Sequence, residues 1–327
     1  MKTLVTGASG HVGANLVRAL LDEGREIRTL GHYDDKALDN LDVEQIKGDV
    51  TDYSSIEKAI DGVDHVFHLA AKISISNSNS ARVHETNVHG PRNVVKACME
   101  HNVKRLVHFS SIHARNPHPK NEMIDETRPG SFDDGLPTYD RTKALGELEV
   151  LKGVEQGLDA VIVCPTSVLG PYDYKPSYMG RTLLELFQHK LPGLVKGGFN
   201  WVDVRDIVFG AMQAEKLGRT GEKYLLSGEW RSFSDLAKCA QEVSGVKAPS
   251  FVSPMWLARI GAPFAENFAR LIKQDPRYTS VSLRALRNHR LVSHDKATAE
   301  LGYNPRPLIE TMQDTYEWFR SSGMLKA

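Results

Sequence analysis

The chain has 327 residues, 41% of them apolar, and 41 basic side chains balance 41 acidic ones, so its formal net charge is zero. That length supports a large core and slightly exceeds what one core fills, so a main domain with a smaller lobe is expected. A neutral surface has no long-range pull on polyanions, which argues against a nucleic-acid partner, and no apolar run nears the roughly 20 residues that span a bilayer.

Strand and helix signals alternate through the first half. Leu4–Thr6 reads as a strand, a glycine-rich turn follows, and Val12–Leu21 has helical periodicity ended by Gly24. Glu26–Leu30 and Val43–Lys47 read as strands two and three. Tyr53–Ile60 reads as a helix with Thr51 or Asp52 as its N-cap. His65–Ala70 is a fourth strand, Val83–Glu100 a long helix whose pattern Gly90 and Pro91 interrupt, and Arg105–Ser110 a fifth strand. A helix over Tyr139–Gly153 and a strand over Ala160–Cys164 complete the series. Strands joined by helical crossovers predict an α/β fold, a doubly wound parallel Rossmann sheet with a smaller, mostly helical substrate lobe.

Beyond Pro165 the alternation is irregular, with a helix over Gly180–His189, strands over Asn200–Val204 and Lys223–Ser227, and a helix over Arg205–Lys216 between them. From Phe233 the signal is mostly helical, and Pro249–Lys273 carries an apolar stripe of Trp256, Leu257, Ile260, Phe264 and Phe268, which reads as core of the second lobe more than as a ligand pocket. Residues 1–170 and 199–230 are expected to form the dinucleotide-binding domain, and 171–198 and 231–327 the substrate-binding lobe. Cys98, Cys164 and Cys239 form no C-x-x-C pair and sit in apolar stretches, which suits buried thiols in a reducing compartment. No charged-then-apolar leader opens the chain, so a cytoplasmic location is expected. Ser74–Ser80, after strand four, reads equally as a flap over a substrate and as a solvated loop.

Between strand one and helix one lies Thr6-Gly7-Ala8-Ser9-Gly10-His11-Val12-Gly13. A pyrophosphate needs backbone N–H groups aimed at it with no Cβ in the way, and a helix N-terminus adds unsatisfied donors and partial positive charge. Gly7, Ser9, Gly10, His11, Val12 and Gly13 are therefore the expected phosphate-binding turn, and the strand–turn–helix context separates it from a plain glycine turn. NAD enzymes place an acid at the end of strand two to hold the ribose hydroxyls. Gly31 and His32 stand there instead, and Arg28, His32 and Lys36 offer positive charge to a 2′-phosphate. This favours NADP(H) over NAD(H), although Asp34 and Asp35 follow closely.

Tyr139 and Lys143 are four residues apart at a helix start, hence on one face. A phenol is a poor acid–base near neutrality, and a neighbouring ammonium lowers its pKa. It can then exchange a proton with a developing alkoxide. Ser111 follows strand five, at the C-terminal edge where doubly wound sheets bind ligands, and a hydroxyl there can polarise a substrate oxygen. The histidines give no H-E-x-x-H, and His65 and His68 point to opposite faces of their strand, so no metal site is expected. No G-x-S-x-G elbow supports Ser-His-Asp hydrolysis.

On these motifs the chain resembles, over nearly its whole length, the extended short-chain dehydrogenase/reductase family (NAD-dependent epimerase/dehydratase), in its dihydroflavonol-reductase and hydroxysteroid-dehydrogenase branch. The resemblance implies that Asp49 and Val50 contact adenine and that Leu69, Ala70 and Ala71 line the cofactor. It matches Asn87 to the asparagine of the family's long helix. It implies a Ser111/Tyr139/Lys143 triad and a nicotinamide contact by Pro165, Thr166 and Val168. It also implies a homodimer through the helices Val83–Glu100 and Tyr139–Gly153. The expected reaction is hydride transfer between nicotinamide and a ketone, aldehyde or secondary alcohol of a small, fairly apolar substrate, with His113, Tyr172 and Arg181 as substrate contacts. The competing branch, nucleotide-sugar epimerases and dehydratases, usually has an Arg just before the strand that here ends at Val202-Asp203; this chain lacks it, although Arg181 and Lys175 suit a diphosphate. A non-catalytic cofactor-binding regulator typically lacks the Tyr or the Lys, and both are present.

Overall fold

The computed structural model describes residues 1–31, 36–74, 80–261, 279–288 and 290–325. Its centre is a seven-stranded sheet in the order β10-β6-β5-β4-β1-β2-β3, with every neighbouring pair parallel. The strands are β1 (Lys2–Thr6), β2 (Glu26–Gly31), β3 (Val43–Lys47), β4 (His65–His68), β5 (Arg105–Phe109), β6 (Ala160–Pro165) and β10 (Lys223–Leu226). β1 has β2 on one side and β4 on the other, so chain order reverses there and opens a crevice at the strands' C-terminal ends.

Side-chain alternation along the strands sorts the core onto two faces. Leu4, Val66, Leu106 and Ile162 pack with Ile56 of α2 (Tyr53–Ile60), Val94 and Cys98 of α4 (Gly90–Glu100) and Val150 of α5 (Thr138–Glu155). Val5, Phe67, Val107 and Val161 pack with Leu16, Val17 and Leu20 of α1 (His11–Asp22), and with Ile207 and Ala211 of α7 (Val204–Leu217). Asp52 caps α2, accepting from the Ser54 N–H at 3.1 Å, as one of the two expected caps.

A third core lies beyond the sheet, around Phe187 of α6 (Tyr178–Phe187), Trp201, Phe233 and Leu236 of α8 (Phe233–Ser244), and Met312 and Phe319 of the helix Leu308–Ser321. A three-stranded sheet, β11-β9-β7, runs beside it from Ser167–Leu169 (β7), Gly198–Asp203 (β9) and Glu229–Ser232 (β11). β7 and β11, of three and four residues, are too short to register as periodic strands in the sequence.

Two expectations need correction. The long helix expected over Val83–Glu100 is three segments: α3 (Ser80–His84), a π-helical turn at Glu85–His89, and α4. Pro91 has no N–H for the Asn87 carbonyl four residues back, and a π turn accommodates that loss without breaking the helix. The freed carbonyl faces Gly146 of α5, where an added Cβ would lie 2.4 Å from it. The apolar stripe is the second correction. Trp256, Leu257 and Ile260 occupy a helical stretch, 255–261, and all three are exposed. Helical spacing reports one face and not whether anything covers it. Phe264 and Phe268 lie outside the described residues, as do residues 75–79 of the serine-rich patch. Among the described residues no helix is long and apolar enough to cross a membrane.

Gly→Ala inside a helix ordinarily stabilises by about 1 kcal/mol. At Gly146 the contact with Asn87 reverses the sign: Gly146→Ala is expected to cost about 1–3 kcal/mol, the range for overpacking, seen as a lowered Tm and urea midpoint. An unchanged or raised Tm would show that α5 does not press on the π turn.

Candidate active site

The turn after β1 is built for close approach. Gly7 has φ +71°, and a Cβ on it would sit 2.7 Å from the Ala70 nitrogen at the end of β4. A Cβ on Gly13 would lie 2.3 Å from the Gly7 carbonyl oxygen, so this glycine packs α1 onto the turn itself. Gly10 is exposed and stands at the N-cap of α1 with no side chain to satisfy the first-turn N–H groups. Ser9 and Val12 are partly buried beside it, while the His11 ring nitrogen lies 3.1 and 3.0 Å from the carbonyls of Gly170 and Pro171. An uncapped helix N-terminus under a cradle that any Cβ would fill fits a dinucleotide pyrophosphate.

Around this turn, Asp49 accepts from the Thr51 N–H and hydroxyl, both at 2.9 Å, and pairs with Arg82 of α3. Burial would raise its pKa, but these partners outweigh burial and hold it below the usual carboxylate range. Val50 is buried against Gly90. Leu69 and Ala70 donate backbone N–H groups to the Thr6 carbonyl and hydroxyl, and Ala71 is exposed. Asn87 is buried inside the π turn: its amide oxygen accepts from the Lys72 N–H at 2.8 Å, and its nitrogen donates to the Lys72 carbonyl and Thr142 hydroxyl. Thr166 donates to the Asn200 side chain at 3.0 Å, between Pro165 and the partly buried Val168.

At the C-terminal end of β5 the chain brings Ser111, Tyr139 and Lys143 together. The Ser111 hydroxyl accepts from the His113 N–H at 3.2 Å and acts on the Tyr139 phenol to lower its pKa. Burial pushes the phenol pKa up to about 12, the reverse of the lowering expected beside Lys143; Ser111 opposes the shift and the Asp140 charge adds to it. Lys143 is buried and donates from Nζ to the Phe109 carbonyl at 2.7 Å. Burial lowers its pKa to about 8, against the opposing charges of Glu147 and Cys164. His113 Nδ1 lies 3.0 Å from an Asp140 oxygen, with the ring edge-on to Tyr139 at 5.6 Å. Burial would depress the His113 pKa, but Asp140 outweighs it and leaves it raised.

Sequence reasoning missed the support under this group. Glu147, one turn past Lys143, is buried and binds Ser110 at 2.5 Å, Lys223 at 2.9 Å and Arg115. Its place on the Tyr139–Lys143 stripe was readable from spacing, but its partners just after β5, on β10 and in the turn at Arg115 were not. His68 and His108, adjacent on β4 and β5 with rings 5.3 Å apart, are also buried here. Burial, with Lys143 adding to it, holds His68 near a pKa of about 3 and His108 well below its ordinary value, so both are neutral.

Other candidates lie elsewhere. Arg28 is spent within the fold, donating to Glu44 and to the carbonyls of Ala59 and Asp61, so it offers nothing to a 2′-phosphate. His32 lies outside the described residues, and Lys36 is exposed on a short 3₁₀ turn. Tyr172 has φ +63°, which turns its ring onto Arg18, Tyr174 and Trp318, none of them in the Ser/Tyr/Lys group. Arg181 is exposed over the Tyr178 ring. Among the described residues no cluster of three or more His, Cys, Asp or Glu side chains is placed to hold a metal ion.

A parallel doubly wound sheet with this opening turn defines a dinucleotide-binding α/β protein. The profile of the NAD dependent epimerase/dehydratase family matches residues 3–226. The chain is 34% identical over 331 residues to "Sterol demethylase protein B" of Methylococcus capsulatus, covering 99% of this chain and all of that one. It is 29% identical to a "Putative dihydroflavonol 4-reductase" of Synechocystis, covering 98% and 95% of the two chains. The crystal structure of gox2253 superposes with a TM-score of 0.86 at 34% identity over 99% of each chain. The chain belongs to the NAD-dependent epimerase/dehydratase family and is an NAD(P)-dependent oxidoreductase of the extended short-chain type.

Gly13→Ala is expected to force the turn from its place under α1 at about 1–3 kcal/mol. Fluorescence titration with NADPH should then show a Kd raised about 5- to 150-fold. Unaltered affinity would mean that the dinucleotide does not lie on this turn.

Proposed function

We propose that the enzyme transfers a hydride between NADP(H) and a ketone, aldehyde or secondary alcohol of a small, largely apolar substrate at the Ser111/Tyr139/Lys143 group. The observation that carries this reading is that buried Lys143, one turn past Tyr139 on α5, is held at 2.7 Å by the Phe109 carbonyl, two residues before Ser111 at the C-terminal end of β5. When bound, the cofactor supplies the hydride at its nicotinamide ring. Ser111 orients the substrate oxygen, and Tyr139 donates a proton to it as the carbonyl carbon is reduced. Lys143, fixed by the Phe109 carbonyl, keeps ammonium charge near the phenol and so favours the phenolate left behind. His113 is the substrate contact that the geometry favours, through its ring contact with Tyr139.

The glycine turn, Asp49, Val50, Leu69, Ala70, Ala71, Asn87, Pro165, Thr166 and Val168 form the cofactor cleft in this reading. Residues 1–170 and 199–230 act as the cofactor domain, and 171–198 and 231–327 as the substrate lobe. NADP(H) is preferred because Gly31 ends β2 where an acid would hold a ribose hydroxyl, and exposed Lys36 follows. An apolar substrate accords with the relatives' names, since a sterol and a dihydroflavonol are both polycyclic and mostly apolar. A cytoplasmic homodimer, joined through the α4 and α5 side of the sheet, completes the reading.

A panel of carbonyls and nucleotide sugars, run with NADPH and NADH, tests it. Tyr139→Phe should keep its cofactor affinity and lose about 10²- to 10⁴-fold in carbonyl reduction. Undiminished turnover would defeat the mechanism, and a sugar product without net cofactor consumption would point to epimerisation. The pH profile is a second check. Tyr139 must carry its proton to act as an acid, so reduction fails as pH rises through the phenol pKa. Asp140 raises that pKa, so Asp140→Asn should move the alkaline limb down, and His113→Gln, which unmasks Asp140, should move it up. Limbs that stay put in both variants would show that Tyr139 is not the titrating acid.

A further inference from the structure

Trp256, Leu257 and Ile260 stand out from the helical stretch 255–261 at 64%, 42% and 59% exposure, and Phe251 just before it is 58% exposed. A contiguous apolar face of this kind marks an interaction surface. Its neighbours are basic. Arg259 lies on the same stretch, and burial together with the charges of Arg287, Arg259 and Arg284 depresses the Lys120 ammonium pKa. All three arginines are exposed. Among the described residues, acids of the neighbouring segments are engaged: Glu122 pairs with Arg128 at 3.4 Å, Asp134 pairs with Arg141, and Asp133 accepts from the Gly135 N–H at 2.8 Å.

We propose that this face docks on an anionic lipid bilayer, with Trp256, Leu257 and Ile260 entering the headgroup boundary and Lys120, Arg259, Arg284 and Arg287 resting on its phosphates. Aromatic and aliphatic side chains flanked by cations are what an interfacial helix needs to bind an anionic surface. A second copy of the chain is disfavoured, because a two-fold contact would set these cations against themselves. Arg284 also donates to the Gly135 carbonyl at 2.9 Å, in the segment that leads into Tyr139. The docked face is therefore tied to the segment that leads into α5. The docking goes beyond the reductase reading and is tested without turnover.

The full chain is sedimented with phosphatidylcholine vesicles with and without phosphatidylglycerol, at low and high salt. Binding is expected only with phosphatidylglycerol, weakened by salt, with a blue shift in tryptophan emission that Trp256→Phe removes. Arg259→Gln and Arg287→Gln should each weaken binding about fivefold, and Trp256→Ser and Ile260→Ser should weaken it while leaving the far-UV circular dichroism spectrum and Tm unchanged. Each of three results overturns the proposal: no dependence on the anionic lipid; variants that bind like the wild type; or a concentration-dependent dimer, in the absence of vesicles, that Trp256→Ser abolishes. An emission spectrum already blue without vesicles and unmoved by them does so too, since the face would then be covered by the chain itself.

Discussion

The Glu147 carboxylate is the constraint on which the site rests. It lies on the same stripe of α5 as Tyr139 and Lys143, and it joins that helix to Ser110 after β5, to Arg115 in the following turn and to Lys223 on β10. Burial would push such a carboxyl toward its neutral form, yet two cations and a hydroxyl leave its pKa below the ordinary range. A buried ion pair adds little net stability, but removing one partner typically costs about 3–5 kcal/mol because the other charge is stranded. What the cluster supplies is position: it ties α5, which carries Tyr139 and Lys143, to the strand ends beside Ser111.

The site then holds its titratable groups in opposed states. Burial lowers Lys143 to about 8 and raises Tyr139 to about 12, so each moves toward neutrality by the same cause. The two imidazoles beneath, His68 and His108, are kept uncharged and add no competing cation beside Lys143. The charges at the edge of the phenol are those of the His113–Asp140 pair. Protonation in this pocket is therefore set largely by dehydration and trimmed by single neighbours.

Much of this was legible in the linear chain wherever the signal was local. The strand–turn–helix glycines, the four-residue step from Tyr139 to Lys143 and the Asp52 cap each depend on residues a few positions apart. The charge cluster was not legible, because Glu147 meets partners 32 and 76 positions away through sheet order alone. Arg28 misled for a related reason: its position beside the ribose end of β2 suggested a phosphate partner, whereas its long side chain runs to Glu44, Ala59 and Asp61. The stripe at Trp256 misled because helical spacing is the same on a covered face and on a bare one.

The π turn at Glu85–His89 has a consequence for how this helix can vary in length. A turn closed over five residues instead of four offsets the angular phase of everything before it, relative to everything after, by about 100°. Loss of one position there would act as a rotation more than a shortening: with α4 held against the sheet, α3 would revolve about the axis and carry Arg82 away from Asp49. Insertions and deletions in this stretch are thus constrained to preserve phase, a restriction that the neighbouring surface turns do not share.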